Sequence, residues 1–269
     1  MYYLFCIPVL LILFHLFCLK GRTGQPKLAE LKKWNYAHRG LHNDKLPENS
    51  LGAFKNAVAH NFGAELDIHL MKDGRLAVIH DSCLKRVAGV DVNIEDLTAE
   101  DLEKYPLMGT QERIPLFSQV LEVFDGKQPL IIELKTANGN HVALCEAACK
   151  MLDEYKGLYC IESFDPRCIA WLRKNRPDII RGQLSENFFK DRTDLSDIIK
   201  FLLTHNLLNF YTVPDFIAYQ FSTRNDTLSN RLCRKLWKVQ GVSWTLRSRE
   251  DYDTAVNEGW LPIFEGFRP

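Results

Sequence analysis

Two periodicities of apolar positions alternate along the chain. Short runs rich in branched and aromatic side chains read as strands at Trp34 to Ala37, Gly63 to Leu70, Leu76 to Ile79, Leu130 to Leu134, Leu158 to Glu162, Ile180 to Leu184, Asn209 to Val213, Val239 to Leu246 and Leu261 to Phe264. Stretches of helical spacing fall between most of them: Ser50 to Ala59, capped by Ser50, then Phe117 to Phe124, His141 to Tyr155, Pro166 to Asn175, Leu195 to His205, Asn230 to Lys235 and Arg249 to Glu258. Leu84 to Ile114 fits neither period. It is polar, carries Gly89 and Gly109, and holds a short helix capped at Thr98 with Asp101 three residues on. It reads as an insertion, residues 84–114, after an early strand. Roughly eight strands alternating with helices over about 235 residues predict an α/β fold of the TIM (β/α)8 barrel type over residues 34–269.

The N-terminus departs from this rhythm. Tyr2 to Leu19 is eighteen residues without a formal charge, close to the length of a membrane-crossing helix. No Lys or Arg precedes it, whereas Lys20, Arg22, Lys27, Lys32 and Lys33 follow. The expectation is an uncleaved N-terminal transmembrane helix over residues 1–20, a basic linker over 21–33 and a catalytic domain on the cytoplasmic side of the membrane. A buried core helix and a cleaved secretory signal are the alternatives, and the signal lacks both a basic leader and a small-residue cleavage site.

Composition narrows the function classes. Basic and acidic residues number 34 each, so the chain lacks the basic excess of a nucleic-acid binder. Hydrophobic content of 46% and charged content of 25% are those of a globular protein rather than a disordered one. The eight cysteines show no zinc spacing and read as buried thiols in a reducing compartment.

Candidate chemistry gathers where strands end. Strand alternation puts Glu65 and Asp67 on one face, about 7 Å apart, with Leu66 on the other. Two carboxylates facing a barrel interior repel each other unless a cation or protons intervene. Glu133, after the apolar Leu130 to Ile132, adds a third. Hard oxygen ligands of this kind suit Mg2+ or Ca2+. His69 shares the face of Glu65 and Asp67, either lining the site or sitting deeper. His38 and His80 each end a strand, and imidazoles there serve proton transfer near neutral pH. Arg39 and Lys135 supply the positive charge that a phosphodiester transition state needs. Asp81, beside His80, either orients it or caps locally. A solvated strand face and structural histidines are the bland alternatives for these fragments taken singly.

Together the fragments resemble the glycerophosphodiester phosphodiesterase family, within the phospholipase-C-like phosphodiesterase superfamily. The matching motifs are His38-Arg39-Gly40, Pro47-Glu48-Asn49-Ser50, Glu65-x-Asp67, the Asp73-Gly74 turn, His80-Asp81, Ile114-Pro115-Leu116, Glu133-Leu134-Lys135, Ser163-Phe164-Asp165 and Ser243-Trp244-Thr245. The resemblance implies a TIM barrel with a small insertion after the His80 strand. It also implies one divalent cation, Mg2+ or Ca2+, on Glu65, Asp67 and Glu133, with His38 and His80 as general acid and base and Arg39 and Lys135 on the phosphate. The implied reaction hydrolyses a glycerophosphodiester to glycerol 3-phosphate and an alcohol. Trp244 reads as a pocket wall, with plain core packing as its alternative. The chain departs from the family pattern at Trp244-Thr245-Leu246-Arg247 and at Phe264-Glu265-Gly266-Phe267-Arg268-Pro269, on strands that would flank the leaving group. Expected partners are a small-molecule glycerophosphodiester or lysolipid and, through the N-terminal helix, a membrane, with no nucleic acid. The alternative functions are lysophospholipase D-type cleavage, with Phe188-Phe189 and Tyr211 as an apolar lip, and a non-catalytic phosphodiester-binding membrane protein.

Overall fold

The computed structural model describes residues 2–191 and 195–269. Its strands, in chain order, are β1 (Tyr36–Ala37), β2 (Gly63–Leu70), β3 (Leu76–Val78), β4 (Leu130–Leu134), β5 (Tyr159–Ser163), β6 (Arg181–Ser185), β7 (Phe216–Gln220), β8 (Gln240–Leu246) and β9 (Trp260–Phe264). All but β3 run parallel to their neighbours, and β1 pairs with both β2 and β9. That double pairing closes an eight-stranded parallel barrel, the TIM-barrel architecture. The short β3 folds back antiparallel on β2 as a hairpin.

Helices on the outside are α1 (Tyr2–Cys18), α2 (Pro26–Leu31), α3 (Leu51–Ala59), α4 (Lys85–Ala88), α5 (Phe117–Phe124), α6 (His141–Glu154), α7 (Pro166–Asn175), α8 (Phe188–Asp191), α9 (Asp197–Thr204), α10 (Asn209–Thr212), α11 (Leu228–Lys235) and α12 (Arg249–Asn257). Ser50 caps α3 as its sequence position suggests, accepting from the Ala53 amide at 3.1 Å.

The period of two along each strand divides the core. Leu66, Ile68, Leu130, Ile132 and Ile161 face the helices, while Ile131, Cys160, Leu184, Phe216 and Val242 fill the barrel interior. Glu65 and Asp67 lie between the outward residues of β2, and Glu133 lies two residues beyond the inward Ile131. The alternation that packs the barrel therefore aims these carboxylates inside it, toward the end where active sites of this architecture lie.

Between β3 and α5 the chain forms α4 and three short 3-10 turns (Ile94–Asp96, Ala99–Lys104 and Leu107–Gly109). They have a core of their own, in which Leu84, Ile94, Leu102, Leu107 and Ile114 pack with Ile79. Asp101 accepts from the Thr98 amide at 3.0 Å, as the capping signature indicates.

Two expectations are corrected. Asn209 to Val213 is not a strand: Asn209–Thr212 is the helix α10, ended by Val213 at φ 41 and followed by Pro214. The seventh barrel strand is the next apolar run, Phe216–Gln220, with Phe216 and Ala218 inside and Ile217 and Tyr219 against the helices. The N-terminal span is also not found: no helix among the described residues is long and apolar enough to cross a membrane. Helix α1 has 17 residues, about 26 Å at 1.5 Å per residue against a hydrocarbon core of about 30 Å. Its last turn is also held by the barrel, where Trp237 Nε1 donates to the Leu16 carbonyl at 2.8 Å and Cys18 and Leu19 are buried.

Candidate active site

Strand ends carry the site, as the sequence suggests, and the register explains how. Asp67 on β2 is level with Glu133 on β4, which is level with Glu162 on β5. Glu65 sits one inward step below Asp67. Ligand oxygens of Glu65, Asp67 and Glu133 lie within 4.8 Å of one another, and all three residues are buried.

His38 follows β1. Arg39 turns the chain sharply at φ 53 and Gly40 continues at φ 79; a Cβ on Gly40 would meet the Ala53 backbone at 3.0 Å, so glycine is required there. The turn aims the Arg39 amide at Glu65 Oε2, 3.1 Å away, and the Arg39 carbonyl accepts from the Asn49 amide at 2.9 Å. Asn49, itself at φ 54, donates its side-chain amide to Asp67 Oδ2 at 2.9 Å. The His-Arg-Gly and Pro-Glu-Asn-Ser fragments thus build one frame around the carboxylates.

Each histidine is fixed by a carboxylate at Nδ1. His38 Nδ1 is hydrogen-bonded to Glu265 Oε2, and His80 Nδ1 to Asp81 Oδ1 at 2.6 Å. Nε2 is left to face the site, at 3.8 Å from Glu65 Oε2 in the case of His38. Arg86 locks the second pair, donating to Asp81 Oδ2 at 2.5 Å and to Glu48 at 2.7 and 3.0 Å. Glu48 also accepts from Arg39 at 2.8 Å. His69 lines the same hollow as His80, Glu133 and Lys135, but its ring nitrogens are engaged elsewhere. It is hydrogen-bonded to Glu95 of the insertion at 2.6 Å and to the His80 carbonyl at 3.2 Å, so it ties the hairpin to the insertion.

Charge is dense here. Lys135 Nζ lies 3.1 Å from Asp67 Oδ1 and 2.8 Å from Glu133 Oε1. Burial, opposed by Lys135, pushes Glu133 up to about 7. Burial, with Asp67, Glu133 and Glu162 nearby, pushes Glu65 well above the usual carboxylate range. Burial works to raise Asp67 too, but Lys135, His80 and Arg39 outweigh it and hold Asp67 low. Burial first, then Lys135 and Arg39, lowers His80 to about 4 against the pull of Asp67 and Asp81. Burial also lowers His38, with Glu265 opposing. Burial thus biases both imidazoles toward the neutral form in the metal-free protein.

The donor set fits a hard divalent cation. Asp67 Oδ1 and Glu133 Oε1 are buried and accept no well-angled hydrogen bond from any described residue, which leaves lone pairs for coordination. Glu65, Asp67 and Glu133 would hold such an ion, and it would supply charge stabilisation to phosphoryl oxygens.

Two hollows meet at this centre, divided by Trp244 and Gln220. One, about 900 Å³, starts at His80, Glu133 and Lys135 and runs out between Phe188, Ile199, Leu203 and Leu208. The other, about 540 Å³, adjoins His38 and Arg39 and is lined by Arg224 and Arg247. Trp244 is half-buried, donates Nε1 to the Ala218 carbonyl at 3.1 Å and meets Phe164 edge-on at 5.7 Å. It is a wall of the cleft, positioned by packing.

All eight candidate residues thus converge: His38, Arg39, Glu65, Asp67, His80, Glu133, Lys135 and Trp244. Sequence reasoning gave no role to Glu265, Glu162, Arg86 or Glu48. The available signal for Glu265 was its place directly after β9, the same position that marked His38. For Glu162 it was an acidic residue closing an apolar strand.

The sequence matches the model of the glycerophosphoryl diester phosphodiesterase family over residues 38–263. The chain belongs to this family. The Bacillus subtilis protein YhdW is 30% identical over 233 residues, covering 80% of this chain and 94% of YhdW. A glycerophosphodiester phosphodiesterase of Caldanaerobacter subterraneus is 33% identical over 158 residues, 55% of this chain and 65% of that protein. Lysophospholipase D GDPD1 of Rattus norvegicus is 35% identical over 145 residues, 49% of this chain and 45% of that protein. These last two matches span less than two thirds of either relative. Among solved structures, an Oleispira antarctica phosphodiesterase in complex with the product sn-glycerol-3-phosphate superposes with a TM-score of 0.72 at 20% identity, covering 91% of this chain and 95% of that one. At that identity the likeness is one of fold.

Proposed function

We propose that the protein hydrolyses glycerophosphodiesters to glycerol 3-phosphate and a free alcohol, using one divalent cation, Mg2+ or Ca2+. The observation that carries this reading is the convergence of Glu65, Asp67 and Glu133 between two histidines, each fixed at Nδ1 by its own carboxylate. In this reading the neutral Nε2 of one imidazole takes the proton of the attacking oxygen, while the other, protonated on Nε2 in the substrate complex and held as an imidazolium by its own carboxylate, Glu265 or Asp81, gives that proton to the departing alkoxide. Lys135 and Arg39 offset the phosphate charge, and Trp244 bounds the cleft. The buried thiols of Cys145, Cys149, Cys160, Cys168 and Cys233 support a reducing, cytoplasmic setting.

A second reading, lysophospholipase D-type cleavage, is favoured by the apolar outer end of the larger hollow, which suits an acyl chain. Phosphorus NMR of the protein with glycerophosphocholine and, separately, with detergent-dispersed lysophosphatidylcholine tests both. A new glycerol 3-phosphate resonance supports the first and a lysophosphatidate resonance the second. Neither appearing with Mg2+ or Ca2+ present would overturn the hydrolytic reading.

A further inference from the structure

The larger hollow leads to an unusual surface. Helix α9 turns Leu203 inward and lines the hollow with Ile199, while Ile198, 74% exposed, and Phe201 point outward. Helix α1 is linked to the end of α9 through α11: His205, just after α9, is hydrogen-bonded to Ser229 of α11 at 3.3 Å, and Ser229 to His15 of α1 at 3.2 Å. On α1 the side chains from Val9 to Phe14, and Phe17, are each more than half exposed. Phe17 packs on Phe210 of α10, with ring centroids 6.3 Å apart, and Phe210 is exposed in turn. Folded domains rarely leave so much apolar surface in contact with water without a partner for it.

We propose that α1, α9 and α10 form a lipid-docking face. On it α1 is immersed in the acyl region of one leaflet instead of crossing the bilayer, and the face feeds single-chain phospholipids into the hollow. Three observations select a lipid surface over a protein partner. The face is continuous, through Ile199, with the hollow that ends at Glu133 and Lys135, so whatever covers it sits at the mouth of the candidate site. Helix α1 is apolar around its circumference rather than along one stripe, and it is anchored to the barrel at its C-terminal turn by Trp237 and by Cys233 Sγ, which donates to the Leu19 carbonyl at 3.2 Å. Lys20, exposed just beyond that turn, is placed for lipid phosphates. The inference rests on the hydrolytic reading above for what the hollow receives, but not for the docking itself.

The test is co-sedimentation of the full chain with phosphatidylcholine vesicles containing lysophosphatidylcholine, comparing wild type with the double variant Ile198→Glu/Phe201→Glu. Neither residue lines the hollow. Wild type is expected to pellet with vesicles, and the variant's bound fraction is expected to fall at least about tenfold, given two apolar side chains no longer buried in lipid. Thermal melts and glycerophosphocholine turnover should be unchanged in the variant. A wild type that stays in the supernatant overturns the proposal, and so does a variant that pellets like wild type. So does light scattering showing that the substitutions split a dimer which ignores vesicles. Docking without turnover of either glycerophosphocholine or lysophosphatidylcholine would leave the lipid face standing and defeat the hydrolytic reading alone.

Discussion

Replacing Lys135 by methionine removes one buried charge and keeps the length and apolar stem of the side chain. The ammonium touches Asp67 and Glu133 at 3.1 and 2.8 Å, and the three side chains are 15%, 1% and 8% exposed. Deleting one partner of a buried ion pair costs about 3–5 kcal/mol, because the remaining charge is left without compensation. Two features move this case to the lower end. Glu133, already pushed up to about 7, can take a proton, and Arg39 still stands 3.5 Å from Asp67. A loss of about 3 kcal/mol in a domain of this size lowers Tm by about 6–12 °C. Differential scanning calorimetry of EDTA-treated protein reads it directly, and added Mg2+ or Ca2+ should recover part of the loss by replacing the missing positive charge. A variant melting within about 2 °C of wild type would refute the argument that Lys135 is what makes the carboxylate cluster tolerable.

Other outcomes follow from the same geometry. Glu265→Gln keeps a hydrogen-bond partner for His38 but removes the charge, so kcat should drop on the order of 10²-fold with little change in KM; unaltered kcat would take Glu265 out of the proton-transfer apparatus. His38→Ala should lower kcat by about 10²–10⁴-fold with an unchanged thermal melt, and near-wild-type turnover would remove His38 from the mechanism. Because Glu133 is held at about 7 and Glu65 is raised as well, protons compete with the cation. Affinity measured by titration calorimetry should fall about tenfold from about pH 8 to about pH 6 for one displaced proton, and further if Glu65 releases a second; a flat profile would contradict this. Without cation the stability trend has the opposite sign. A carboxylate whose folded pKa is raised from 4.5 to about 7 stabilises the fold at low pH and loses that contribution as pH rises through this window.

Much of this was legible in the sequence because the barrel and the site share one rule. An apolar run as short as Leu130 to Ile132, flanked by Pro129, reads as a buried strand, and period two then dictates that Glu133 points inward with Ile131. The same rule places Glu65 and Asp67. Where two elements compete locally the signal fails. Asn209 to Val213 is as apolar as a strand, but Pro214 and the left-handed Val213 close it as a helical turn, and the true strand starts two residues later. The N-terminal segment has the hydropathy of a membrane span, yet its last turn is taken up by Trp237 and Cys233, partners more than 200 positions away that no local pattern reveals. Glu265 was hidden for a related reason: its meaning comes from β9 closing beside β1, which puts it against His38.

The most direct test of the central claim is glycerol 3-phosphate release from glycerophosphocholine by EDTA-treated protein, titrated with Mg2+ or Ca2+ beside Glu65→Gln. The cation-centred account predicts no release after EDTA, recovery with one of the two cations, and a variant that needs far more of it. Release that persists in EDTA, or a cation titration that Glu65→Gln leaves unmoved, would contradict the account.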